Sequence, residues 1–176
     1  LVYPWRHRHP TDGLKHQFMA NQAKLFPTSP APPRSSIRSE GVEVGGVRFT
    51  ELREVATLQK RAFKPRLAYG YATLLLLWSL PYVRFLVARE NGRIAGCAIG
   101  DRNGGQARVI NICVDPAFQR RGIGARLLRS LDAAIPQGDI VLMVEAENDT
   151  AKALYRREGF TEVGVSKSYY GRNLDG

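Results

Sequence analysis

The residues best suited to chemistry by type and spacing are Gln119-Arg120-Arg121-Gly122-Ile123-Gly124, followed by Ala125-Arg126-Leu127-Leu128. Glycines entering a helix let the backbone pass close to a ligand. The first helical turn adds unpaired N–H groups and the positive end of the helix dipole. Together they form a seat for a phosphate or pyrophosphate, and Arg120, Arg121 and Arg126 add positive charge nearby. A tight strand-to-helix turn with solvated arginines would use the same residues, so the glycines alone leave both readings open. No G-x-x-x-x-G-K-[ST] occurs. A dinucleotide fingerprint is disfavoured: Leu127 stands where its third glycine belongs, and residues 115–121 separate the preceding strand from Gly122.

The acid–base inventory is narrow. His7, His9 and His16 are the only histidines, and residues 46–176 hold none. A Ser-His-Asp triad, a Cys-His pair and a histidine metal site are thereby excluded from that stretch. Proton transfer there falls to carboxylates, Tyr, Lys, water or backbone groups. Cys97 and Cys113 lie in apolar runs without a C-x-x-C, and read as small buried hydrophobes of a reducing compartment. No metal is expected.

The elements that must position these residues follow from periodicity. A strand is expected at 47–50, an amphipathic helix at 51–63 and a second helix at 71–80, ended by Pro81. Residues 82–89 and 93–100 read as a hairpin around Asn91-Gly92. A Val- and Ile-rich strand follows at 107–114, broken by Asp115-Pro116. A helix at 122–135, a strand at 140–146, a helix at 149–158 with Gly159 as its C-terminal cap, and a strand at 160–168 complete the chain. The class is α/β, with a mixed, mostly antiparallel sheet and helices on both faces.

At 176 residues the chain makes one domain, assigned to residues 46–176, after a basic and largely disordered arm and linker at residues 1–45. A short helix near residues 14–25 is considered. The net charge is +10, and residues 1–39 carry half of that excess, with six Lys/Arg against Asp12. Such an arm attracts polyanions, so a nucleic acid or ribosome contact is an open reading. The apolar run at residues 72–80 is about half of the ~20 residues that span a bilayer, and reads as a buried helix. No membrane association is expected. A cytoplasmic location is expected, or an organelle if the arm is a targeting remnant.

Two motifs carry a resemblance. Val114-Asp115-Pro116-x-x-Gln119-Arg120-Arg121-Gly122-Ile123-Gly124 resembles the acetyl-CoA motif of the GNAT acetyltransferases. Asn148-x-x-Ala151-x-x-Leu154-Tyr155, then Gly159-Phe160, resembles that family's second signature. The likeness covers roughly residues 46–176. Asn111-Ile112-x-Val114-Asp115-Pro116 and Tyr169-Tyr170 narrow it toward the bacterial ribosomal-protein alanine N-acetyltransferases and related N-terminal acetyltransferases.

The resemblance implies a GNAT-like sheet splayed at the cofactor, acetyl-CoA. Backbone at Ile112, Cys113 and Val114 would pair with pantetheine amides. Backbone N–H groups of Arg121, Gly122, Ile123, Gly124 and Ala125 would hold the pyrophosphate, with Gln119 and Arg120 also in the cofactor site. Asn148 would contact pantetheine or cap its helix. Tyr155 would be the general acid toward the departing thiolate. The alanine acetyltransferases place a glutamate where this chain has Met143, and Glu145, on the same strand face, is the substitute base. Tyr169 and Tyr170 would line a peptide groove. The resembled family usually adds one more strand after the position of Asp175-Gly176; a truncated, a shortened and an unfinished chain stay open as readings, each leaving a sheet edge bare. The acceptor is read as a protein N-terminal α-amine, with a small-molecule amine or a catalytically weak acyl-CoA-binding module as alternatives. Oligomeric state is not legible.

Overall fold

The structure, a computed structural model, describes residues 2–7, 41–103, 106–135 and 139–163. Strand β1 is Val2–His7 and β2 is Val42–Gly46; helix α1, Leu52–Ala62, and helix α2, Tyr71–Ser79, follow. Next come β3 (Val83–Glu90), β4 (Arg93–Asn103) and β5 (Gln106–Val114). Then α3 (Ile123–Ala134), β6 (Ile140–Glu145), α4 (Asp149–Arg157) and β7 (Thr161–Glu162) close the described chain. These strands join in one sheet, ordered β2-β3-β4-β5-β6-β1-β7. Among the described residues β5–β6 is the one parallel pair.

The local logic is plain in the central elements. Asn91 and Gly92 both take positive φ, 50° and 76°, closing the tight β3–β4 hairpin with Glu90 opposite Arg93. In α1, Leu52, Val55, Ala56 and Leu58 are buried. They join Leu74, Phe85, Val87, Ile94 and Ile99 in an apolar layer on one face of the sheet. On the other face Leu127, Leu128 and Leu131 of α3 pack with Ile140, Leu142, Val144, Tyr155 and Phe160. Helices therefore cover both faces of a mixed sheet, as expected.

Three expectations change. The strand expected at 47–50 lies at Val42–Gly46, and Phe49–Glu51 is a 3-10 turn leading into α1. Here Val42, Glu43 and Val44 alternate along β2 against Ala88–Glu90 of β3. Helix α2 is not buried: Leu74 is, whereas Leu76 and Trp78 are 61% and 40% exposed. Its apolar run covers all sides of the helix, while only one side meets the sheet. Finally, Val2–His7, assigned to the arm, is a strand, running antiparallel to β6 from Val2 opposite Glu145 to His7 opposite Ile140. The β6 edge is therefore paired, by residues remote in sequence. The considered helix near residues 14–25 lies outside the described residues. Of the last strand expected at 160–168, Thr161–Glu162 is described as strand, and Tyr169 and Tyr170 lie outside the described residues.

Candidate active site

The site is built on a fork in the sheet. Strands β5 and β6 pair in parallel from Ala107 opposite Ile140 to Val109 opposite Leu142, and no further. Beyond that point Ile112, Cys113 and Val114 on β5 and Met143, Val144 and Glu145 on β6 share no ladder. The cause is local. The β4–β5 register shifts between Ile99 and Gly100, which pair with Asn111 and Val109, so Ile110 is an extra residue. Such a bulge bends its strand and sharpens its twist, and it sits where β5 departs from β6. The backbone N–H and C=O groups along this side of β5 are those a ligand can pair with in strand-like fashion.

The chain then reverses into the glycine turn. Asp115, buried, accepts from the Ala117 N–H at 2.9 Å and takes an ion pair from Arg61 of α1 at 2.6 Å. Gln119 Nε2 donates to the Val114 carbonyl at 3.3 Å. Arg120 has φ 64° and Gly122 has φ 79°, the latter immediately before α3. Left-handed backbone is costly for a residue with a Cβ, so the turn needs glycine at 122. A Cβ added at Gly122 would meet no atom within 4 Å, so the space over the turn is open. At Gly124 an added Cβ would come within 3.2 Å of Leu154, so glycine there lets α3 lie close to α4. The Arg121 guanidinium is committed elsewhere. It bonds Glu90 at 3.0 Å and the Ala117 carbonyl at 3.2 Å, over the Phe118 ring. What the turn offers an anion is thus the first-turn backbone of α3, through Ile123, Gly124 and Ala125, with exposed Arg120 beside it.

The opposite wall comes from β6 and α4. Side chains alternate along β6, with Ile140, Leu142 and Val144 buried against α3 and α4. Val141, Met143 and Glu145 are half-buried on the opposite face, so Glu145 and Met143 do share a face. The Asn148 N–H donates to the Glu145 carbonyl at 3.0 Å, turning the chain directly into α4. Asn148 Oδ1 accepts from the Ala151 N–H at 3.0 Å and caps that helix. Tyr155 is buried, its ring 5.9 Å from that of Phe160. Gly159, at φ 85°, ends the helix.

A polar cluster behind β5 escaped the sequence reading. Gln59 of α1, fully buried, donates from Nε2 to Asn111 Oδ1 at 2.8 Å, and Asn111 Nδ2 donates back to Gln59 Oε1 at 3.3 Å. Cys97 and Cys113, directly opposite on β4 and β5, lie beside it with sulfurs 3.5 Å apart. The hydrogen bond to Cys97, with burial next, pushes the Cys113 thiol well above its ordinary range. Cys113 therefore enters the fork by its backbone alone. A signal was available: Gln59 continues the apolar stripe Leu52, Val55, Ala56, and Asn111 interrupts an apolar strand.

The arrangement can hold an extended, phosphate-bearing ligand along β5; the Glu145 carboxylate lies on one face of β6, and Tyr155 is buried in the apolar layer on the other. Comparison with known proteins gives it a family. The chain is 35% identical over 136 residues to the N-alpha-acetyltransferase RimI of Mycobacterium tuberculosis, covering 75% of this chain and 86% of that protein. The chain belongs to the GNAT acetyltransferase family. The model of the acetyltransferase (GNAT) domain matches residues 81–162, from the start of the β3–β4 hairpin through α4 to β7. The [ribosomal protein bS18]-alanine N-acetyltransferase of Escherichia coli is 36% identical over 92 residues, which span 51% of this chain and 62% of that protein. The crystal structure of the Escherichia coli ribosomal-protein-S18-alanine N-acetyltransferase superposes with a TM-score of 0.65 at 27% identity, over 77% of this chain and 86% of that one. GNAT enzymes take their acetyl group from acetyl-CoA. The open turn at Gly122 and the unpaired stretch of β5 fit such a donor. Among the described residues no helix is long and apolar enough to cross a membrane, and no three His, Cys, Asp or Glu gather as a metal site.

Proposed function

We propose that this GNAT acetyltransferase acetylates a protein N-terminal α-amine by direct attack in a ternary complex. The fork carries the reading: β5 stops pairing with β6 at Val109 opposite Leu142 and runs on without it to Val114 before the glycine turn. The similarity to the two N-terminal acetyltransferases supports the acceptor class. Acetyl-CoA, when bound, supplies an activated acetyl thioester. Ile112, Cys113 and Val114 would bind it through backbone groups. Backbone N–H groups of Arg121, Gly122, Ile123, Gly124 and Ala125 would form its pyrophosphate seat, with Arg120 beside it, Gln119 tying the turn to β5 and Asn148 near pantetheine.

Tyr155 is the proposed general acid. A phenol has a reference pKa of about 10 and carries its proton at neutral pH, so it can give that proton to the departing sulfur. Glu145 is the proposed base, taking the proton of the attacking amine directly or through one water. Tyr169 and Tyr170 are proposed to hold the peptide backbone.

Met143 favours a second reading, a small-molecule amine acceptor, because a thioether cannot accept the proton that the alanine acetyltransferases give to a glutamate there. The deciding experiment is thiol release from acetyl-CoA against Ala- and Ser-initiated peptides and against polyamines. Release that depends on the peptides supports the first reading, and release with polyamines alone replaces it. Absence of acetyl-CoA binding by calorimetry would sink both.

A further inference from the structure

We infer that Gln59 and Asn111 are positioning residues that set the opening of the fork. The inference rests on the donor lying along β5, as proposed above. Asn111 is the second residue beyond the last β5–β6 pair, and the first that pairs with β4 after the bulge at Ile110. At this point β5 has lost one neighbour strand and turned away from it. Its side chain points away from α3 and into the layer under α1. There the two amides exchange hydrogen bonds, Nε2 to Oδ1 at 2.8 Å and Nδ2 to Oε1 at 3.3 Å. Gln59 Nε2 also lies 3.4 Å and 3.5 Å from the sulfurs of Cys97 and Cys113, so β4, β5 and α1 meet on one amide.

Two amides in an otherwise apolar layer are a directional device. Apolar contacts would let β5 slide by tenths of an ångström, whereas a reciprocal amide pair fixes one distance and one register. Two positions farther along, Arg61 of the same helix grips Asp115 at 2.6 Å. Helix α1 therefore holds both ends of the segment from Asn111 to Asp115, whose Ile112, Cys113 and Val114 form the donor wall. Glu54, on the first turn of α1, accepts from the Ile94 N–H at 3.2 Å and registers the helix on β4. Substrate need not touch either amide for this role.

The test exploits the asymmetry of buried hydrogen bonds. Removing one partner strands the other, whereas removing both can be nearly neutral for folding. Gln59→Leu and Asn111→Leu should each lower the thermal midpoint, and the double variant should recover most of it. If the pair positions β5, the double variant still shows faster amide exchange at residues 110–114 without ligand. It also shows at least a tenfold higher KM for acetyl-CoA, or an equal loss in kcat/KM. The swapped variant, Gln59→Asn with Asn111→Gln, which keeps an amide pair, should recover part of that loss. A double variant with parental midpoint, exchange and KM overturns the inference, since the pair then only fills the layer. Faster exchange with both KM and kcat/KM for acetyl-CoA unchanged overturns it too. Failure of the underlying reading looks different, because the unmodified protein itself would then fail to bind acetyl-CoA.

Discussion

The two walls of the fork are held by different means. Strand β5 is paired with β4 through Val114 opposite Gly96, gripped from α1 by Gln59 and Arg61, and tied at its end by Gln119. Strand β6 beyond Leu142 has as its ladder partner Val2, Tyr3 and Pro4 of β1, a segment distant in sequence. Of its side chains there, Met143 and Glu145 are half-buried and outside the apolar layer. A wall that receives the same donor in every turnover gains from several independent constraints. If β6 meets the acceptor, as proposed, it can vary one side chain at a time, and Met143 would be one such change. Under the proposed function, the difference would place the donor chemistry in the β5 backbone and the acceptor preference in β6 side chains.

The largest effect should come from the donor wall. Gly122→Glu sets a side chain on backbone at φ 79°, a conformation costing roughly 1–2 kcal/mol for a residue with a Cβ. It also projects a carboxylate into the open space over the turn. Calorimetry should find acetyl-CoA affinity reduced at least about a hundredfold, near 2.7 kcal/mol, with the fold retained by circular dichroism. Unchanged affinity would break the comparison, because the donor would then lie elsewhere.

Tyr155→Phe keeps the ring against Phe160 and removes only the hydroxyl. A lost general acid typically costs on the order of a hundredfold or more in rate. The expected outcome is that fall in kcat with acetyl-CoA affinity held within about threefold and the fold retained by circular dichroism. Parental kcat would reduce Tyr155 to a core residue.

How much of this was legible beforehand divides along the same line. The donor wall uses local rules, so Gly122, Gly124 and the break at Asp115-Pro116 announced the turn from a dozen residues. Asn148 and Gly159 likewise bracket α4 through backbone capping that any reader of sequence can see. Strand β1 has no such signature. Its pairing with β6 depends on two segments separated by most of the chain, and a proline-studded stretch following it reads as linker. The exposure of α2 was missed for a related reason: apolar composition predicts burial, but only packing against β3 and α1 decides which side of Leu74-Leu75-Leu76-Leu77 is covered. Gln59 and Asn111 are legible singly as polar breaks in apolar patterns, and meaningful only once helix and strand are stacked.

Smaller effects should sharpen the acceptor wall. Glu145→Gln keeps size and removes basicity, and should lower kcat about tenfold or more on the best peptide while leaving the acetyl-CoA KM near parental. Met143→Glu is the informative partner. If β6 side chains set acceptor use, a carboxylate at 143 should raise kcat on Ala-initiated peptides, and Met143→Glu with Glu145→Gln should retain activity. Stopped-flow thiol release with both variants separates a base at 145 from a solvated carboxylate, for which neither substitution changes kcat.

The smallest effect lies away from the fork and serves as its control. Glu51 joins the start of α1 to β3 through both carboxylate oxygens, each 2.8 Å from the Arg89 guanidinium, and also accepts from the Arg48 N–H at 2.7 Å. The Arg89 hydrogen bonds hold its carboxyl below the usual carboxylate range. A carboxylate with a depressed folded pKa contributes stability that is fully present above its unfolded value, about 4.3. That contribution is lost as pH falls through the lower folded value. Glu51→Gln should therefore cost about 1–3 kcal/mol by urea unfolding at pH 7, and the gap between parent and variant should close toward pH 3. Its acetyl-CoA affinity and kcat should stay parental. A Glu51→Gln variant that loses affinity would mean that the donor wall is held from β3 as well as from α1, and that the constraints on β5 are not independent.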